Sequence, residues 1–138
     1  MDMKLELVVL PVSDVDRAKK FFERAGFNVD VDFQPNDAFR VVQVTPPGSA
    51  CSVTFGIGVS QVEPGTYQGL HLVVSDLSRA VEDLRGRGID VSDPFHFGAD
   101  GQTPGLHPER EDYGSYAAFS DPDGNGFLLQ EVGHQASR

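Results

Sequence analysis

Apolar residues in this chain alternate between two spacings, and the alternation occurs twice. Residues 5–12 and 69–74 are aliphatic and β-branched runs of strand character. Behind the first run, Val15, Ala18, Phe21, Phe22 and Ala25 recur at helical spacing. Behind the second, Leu77, Ala80, Val81 and Leu84 do the same, so each run predicts a strand followed by an amphipathic helix. Ser13 and Ser75 stand where an N-cap belongs, with Asp16 three residues after Ser13 in capping-box fashion. Gly26 and Gly88 stand where a left-handed residue closes a helix. Further strands are predicted over 27–33, 38–44 and 51–56, and over 89–92, 113–120 and 126–132.

The two halves are a repeat. Val12-Ser13-Asp14-Val15-Asp16-Arg17-Ala18 matches Val74-Ser75-Asp76-Leu77-Ser78-Arg79-Ala80 at an offset of 62 residues (12 to 74), and Gly26 and Val29 match Gly88 and Val91 at the same offset. The unit reads βαβββ twice. This predicts an α+β fold of one domain, with module one at 4–58, a polar linker at 59–68 and module two at 69–133. Residues 93–112 (DPFHFGADGQTPGLHPERED) have no counterpart in the first copy. An insertion of that length is more often a lid or binding loop than filler. The tail from Gly133 is expected to fray.

Composition narrows the setting. The chain has 138 residues, 39% of them hydrophobic, which suits one self-sufficient domain. Cys51 is the single cysteine, so no internal disulfide forms, in keeping with a reducing cytoplasm. No apolar run reaches membrane-spanning length, and the N-terminus lacks the regions of a signal peptide. The formal charge of −10 argues against nucleic acid. The densest basic cluster, Arg17, Lys19, Lys20 and Arg24, is interleaved with acids and reads as a solvated helix face.

The paired modules, with "VSDVDRAKKFFERAGF", "HLVVSDLSRA" and "FSDPDGNGFLLQE", resemble the vicinal oxygen chelate superfamily, which includes glyoxalase I, extradiol dioxygenases and bleomycin-resistance proteins. The resemblance covers about residues 4 to 132. It implies two curved sheets around a cavity and leaves room for a homodimer. It also implies, in metal-dependent members, one divalent ion held by the first and last strand of each module. Carried over residue by residue, those positions fall on Leu7, Ser52, Gly69 and Leu128. None supplies imidazole, carboxylate or thiolate, the donors such an ion needs, so no metal cofactor is expected.

Two residues along each strand lies a second ring: Val9, Thr54, His71 and Gln130. His71 and Gln130 could hydrogen-bond an oxygen-bearing ligand, and His71 could move a proton near neutral pH. An interior histidine bonded to Gln130 or Thr54 is the plainer alternative. The insertion offers His96, His107, Glu109, Arg110, Asp112 and Tyr113. Arg110 has the fork to grip a ligand carboxylate, and Tyr113 an aromatic wall with a polar tip. Phe95 and Phe97, flanking His96, read as apolar packing or parts of a lid. Phosphate-loop, HExxH and nucleophile-elbow signatures are absent. The ligand-binding candidates are therefore Thr54, His71, Gln130, Arg110 and Tyr113, with His71 the candidate acid or base. Two functions remain open: a metal-independent binder of a small organic molecule in an apolar cavity, or an isomerase, lyase or dioxygenase-type enzyme using His71 or another metal site.

Overall fold

The computed structural model describes residues 1–134. Two compact units divide the chain: Met1–Tyr67 with Asp121–Asn125, and Gln68–Ser120 with the segment from Gly126 onward. Unit 1 runs β1 (Leu7–Val9), α1 (Val15–Arg24), β2 (Asn28–Asn36), β3 (Phe39–Thr45) and β4 (Ser52–Ile57). Its sheet has the order β1-β4-β3-β2, with β1 parallel to β4 and the other pairs antiparallel. Unit 2 runs β5 (Leu70–Val74), α2 (Leu77–Gly86), β6 (Phe95–Gly98), β7 (Gly101–Pro104), β8 (Ser115–Ser120) and β9 (Gly126–Glu131). Its order is β5-β9-β8-β6-β7, again with only the β5–β9 pair parallel. Both sheets are mixed and open, and the fold is α+β built from two βαβββ modules, the second carrying one extra strand.

Each helix covers one face of its own sheet. The α1 stripe Val15, Ala18, Phe21 and Phe22 is buried, and the Phe22 ring packs at 5.7 Å on Phe55 and 5.2 Å on Phe27. In unit 2 Leu77, Val81 and Leu84 of α2 are buried, as are Ala117, Phe119, Phe127 and Leu129. Phe119 and Phe127, opposite one another in the β8–β9 ladder, stack at 5.1 Å. Strand parity follows the sequence. His71 and Val73 are exposed while Leu70, Leu72 and Val74 are partly covered.

Local corrections have clear causes. The N-caps are Asp14 and Asp76, not Ser13 and Ser75. Their carboxylates accept from the Arg17 and Arg79 amides, at 3.1 and 3.2 Å. A carboxylate adds charge to the cap and favours the positive helix end. Ser13 is drawn away, donating its amide and hydroxyl to Asp123 at 3.0 and 2.5 Å. The closing glycines are as read, with Gly26 at φ 96° and Gly88 at φ 83°.

Residues 89–92 form no strand. The Arg85 guanidinium takes the Val91 carbonyl at 2.8 and 3.1 Å, and Pro94 has no amide to donate to a ladder. Pairing resumes at β6, which takes the place beside β8 that β2 holds beside β3. The predicted lid is thus half sheet: β6 and β7 form a hairpin whose turn ends on Gly101 at φ 98°. Strand β8 starts at Ser115 rather than Tyr113, because Tyr113 takes φ 65°. At the tail, Gly133 donates its amide to Asp112 at 2.7 Å, and residues 135–138 lie outside those described.

Candidate functional site

In unit 1 the register sets Leu7 opposite Ser52 and Val9 opposite Thr54. Ser52 is buried, and its hydroxyl shares hydrogen bonds with Gln43 Nε2 at 3.2 Å and Thr45 Oγ1 at 2.7 Å. Thr54 is 5% exposed, and among the described residues its hydroxyl finds no partner. A buried hydroxyl left unpaired costs free energy, so Thr54 has a standing preference for a polar group brought to it.

In unit 2 the register differs from a count off the turn glycine. Leu128 faces His71, and Gln130 faces Val73, so Leu128 is two residues from the partner of Gly69. Gly69 itself takes φ 76°, a conformation that strains any side chain. The family's metal positions therefore present two hydrocarbons, a committed hydroxyl and a left-handed glycine. That donor set does not fit a divalent ion. Among the described residues no other group of three or more His, Cys, Asp or Glu is arranged to hold one.

What unit 2 does present is an aromatic face. On the side of its sheet away from α2, Phe95 and Tyr116 are register partners and stack at 5.8 Å. Phe97 meets Tyr116 edge-on at 5.6 Å and Phe95 at 6.0 Å, yet stays 60% exposed. The exposed His71 ring lies edge-on to Tyr116 at 6.5 Å. Beside these rings a shallow recess of about 570 Å³ is lined by Pro94, Phe95, Gln102, Pro104 and Ala118 with neighbouring Ser92 and Asp93. The sequence named Phe95 and Phe97 only as packing or lid elements. The available signal was their period-two spacing, which places both on one face of a strand.

The polar groups on this face are oriented. His71 Nδ1–H donates to the Gly69 carbonyl at 2.6 Å, which leaves Nε2 as the acceptor. Gln130 Nε2 donates to the Tyr116 hydroxyl at 3.2 Å and the Tyr113 carbonyl at 3.3 Å. Among the described residues His71 is thus bonded to the Gly69 carbonyl and not to Gln130.

Arg110 is not a free fork. Its Nε and Nη2 donate to the two Glu131 oxygens at 2.7 and 2.5 Å, and Asp76 lies 3.8 Å away. The sequence had set Arg110 among Glu109, Asp112 and a ligand; the structure pairs it with the last strand instead. Glu131 is fully buried and also accepts from the Leu77 amide at 2.8 Å. Burial pushes its carboxyl up, but the Arg110 and Leu77 hydrogen bonds outweigh that and leave it below the ordinary range. Tyr113 is 61% exposed. In the insertion, His96 Nδ1–H donates to the Gly105 carbonyl at 2.7 Å, and His107 Nδ1 accepts from the Glu109 amide at 3.1 Å.

Paired βαβββ modules with open mixed sheets and one helix per sheet define the class of chain. The model of the Glyoxalase/Bleomycin resistance protein/Dioxygenase superfamily matches residues 4–129, and this chain belongs to that superfamily. Among solved structures it is similar to TnmS3, an antibiotic-binding protein from Streptomyces sp. CB03234. The two are 32% identical over 95% of this chain and 97% of that one, with a TM-score of 0.73. A glyoxalase/bleomycin resistance protein from the same organism is 32% identical over 93% and 100%, with a TM-score of 0.69. A superfamily member from Sphaerobacter thermophilus DSM 20745 is 30% identical over 94% and 98%, with a TM-score of 0.70. No curated protein matches the chain.

Proposed function

We propose that this protein binds a small, planar organic molecule of antibiotic type, without a divalent ion, and that the aromatic face of unit 2 supplies the main contact. The carrying observation is the Phe95–Phe97–Tyr116 cluster, left open beside an apolar recess. Stacked rings offer large contact area at low entropic cost. Similarity to an antibiotic-binding protein supports the same reading. His71 Nε2 and Gln130 Oε1 are the polar contacts on this face, with Tyr113 as a further aromatic; the unpaired Thr54 hydroxyl is proposed as a ligand contact in unit 1 by itself. Arg110 is left out because its Nε and Nη2 edge is committed to Glu131. The setting proposed is the cytoplasm, as a homodimer and without nucleic acid; sedimentation equilibrium checks the dimer.

Fluorescence titration with 9-aminoacridine (planar, cationic) and 1-pyrenesulfonate (planar, anionic) tests the binding. At least one should bind at a one-to-one ratio. Tyr116→Ala should weaken it about tenfold to thirtyfold, and Tyr116→Phe by no more than about threefold. Failure of both probes, or full affinity in Tyr116→Ala, defeats the reading. Protein purified without an affinity tag should carry no stoichiometric divalent ion, and EDTA should leave affinity and melting temperature unchanged. An ion whose removal lowers either one refutes the metal-free part.

One observation favours an enzymatic alternative. The Gly69 carbonyl fixes the His71 tautomer so that Nε2 can take a proton from a molecule on the face. Turnover of a carbon acid that disappears in His71→Gln while binding persists would establish it; equal turnover in that variant removes it.

A further inference from the structure

Residues 105–114 combine features that their connecting role does not require. Arg110 and Tyr113 both take left-handed backbone, at φ 52° and 65°, and neither is glycine. Each such residue costs on the order of 1 kcal/mol and persists only where the surroundings hold it. The surroundings here are specific. Arg110 is locked to buried Glu131 through two charge-assisted bonds, the Tyr113 amide donates to the Glu131 carbonyl at 2.9 Å, and His107 donates its amide to Ser115 Oγ at 2.9 Å. One residue of β9 thus holds the loop by side chain and by backbone.

The held loop delivers one thing to the aromatic face. The Tyr113 carbonyl, with the Tyr116 hydroxyl, takes the protons of Gln130 Nε2. That sets the amide's orientation and leaves Oε1, among the described residues, as its free acceptor. Neighbours 130 and 131 of one strand point to opposite faces, so the Glu131 latch on the helix side and Gln130 on the open side are joined through the loop.

We propose that Arg110 is a positioning residue: its ion pair with Glu131 holds the 105–114 loop so that the Tyr113 carbonyl fixes the Gln130 amide for a bound molecule. This rests on the binding function proposed above. The charged groups around the pair are Asp76 at the α2 cap, 3.8 Å from Arg110, and His134, whose Nδ1 accepts from Arg110 Nη2 at 3.2 Å.

The test is a double-mutant cycle on 9-aminoacridine or 1-pyrenesulfonate affinity, whichever binds, with Arg110→Ala, Gln130→Ala and the double variant. Each single change should weaken binding about fivefold to tenfold, and the double no more than the weaker-binding single, because both remove one contact. Arg110→Lys keeps one charge-assisted bond and should recover part of the loss; if Arg110→Ala does not fold, Arg110→Lys enters the cycle in its place. The Gln130 side-chain amide signals in ¹⁵N NMR should shift and exchange faster in the arginine variant, with no ligand present. Unchanged amide signals, or losses that multiply in the double variant, overturn the proposal even if binding is intact. If neither probe binds the wild type, the binding function falls and the proposed consequence for affinity falls with it, whereas the amide signals still decide whether Arg110 orders Gln130.

Discussion

Glu131→Ala should lower stability by about 3 kcal/mol, since it breaks a buried, hydrogen-bonded ion pair and leaves donors unpaired. In a domain of this size that is a fall of roughly 10 °C in melting temperature. The variant strands the Leu77 amide at the first turn of α2, where no intrahelical acceptor exists. It also frees Arg110, which keeps Asp76 and some solvent exposure, so the arginine's share of the loss is softened. Glu131→Gln retains one acceptor oxygen and should recover about half of the deficit. The pH dependence has a definite sign. The Glu131 carboxyl sits below its ordinary value, so its contribution is complete above the unfolded glutamate pKa of about 4.3 and is lost as pH falls through the lower folded value. The stability gap between wild type and Glu131→Gln should therefore be constant from pH 8 to 5 and shrink below about pH 4. Chemical denaturation at a series of pH values measures it, and a gap that stays level down to pH 2 would remove the ion pair from the account.

Glu131 also shows where the sequence could have said more. Its parity groups it with Phe127 and Leu129, on the side of β9 that packs under the helix. A charged residue at an inward position requires a partner, and the sequence alone supports that demand. It does not say which of the nearby cations meets it, because Arg110 lies 21 residues away across an irregular loop. The repeat, the buried stripe of each helix and the alternation at His71 and Val73 were all legible, being set by local spacing. The caps were misplaced by one residue because serine and aspartate both accept from a free amide. At the first helix the tertiary bond from Ser13 to Asp123 decides between them. The β6–β7 hairpin was hidden because "FHFGADGQTP" is broken by Gly, Asp and Pro, so its strands are recognised by the pairing of β6 with β7 and β8 rather than by propensity. The two-residue displacement of Leu128 against Gly69 belongs to the parallel pairing of β5 with β9, which no count from a turn encodes.

Asn125→Ala should cost about 3 kcal/mol, from several buried polar groups losing their partner at once. Asn125 is fully buried at the end of the "DPDGN" turn. Its Nδ2 donates to the Pro11 carbonyl and to Asp121 Oδ2, both at 2.8 Å, and its Oδ1 accepts from the Tyr67 amide at 3.2 Å. One amide thus joins the turn to the exit of the first strand and to Tyr67, where the first segment of unit 1 ends. Burial pushes the Asp121 carboxyl up, against hydrogen bonds from Asn125 that favour its ionised form. Asn125→Asp sharpens the test. It keeps the acceptor for Tyr67 but turns an acceptor toward Asp121 and the Pro11 carbonyl, putting two carboxylates within hydrogen-bond distance in a buried site. Such a pair ionises fully only at a large cost, so one of the two takes up a proton. At pH 7 Asn125→Asp should therefore be less stable than Asn125→Ala, and it should gain on the alanine variant as pH falls through the raised folded value of the pair, a gain complete near the unfolded aspartate value of about 3.9, because protonation restores a donor. Thermal melts of both variants at pH 7 and pH 4.5 read the crossover. An aspartate variant as stable as wild type at pH 7 would mean that the Asn125 nitrogen does not hold the turn, and that the Asp121–Asn125 segment is fixed by its backbone conformation alone.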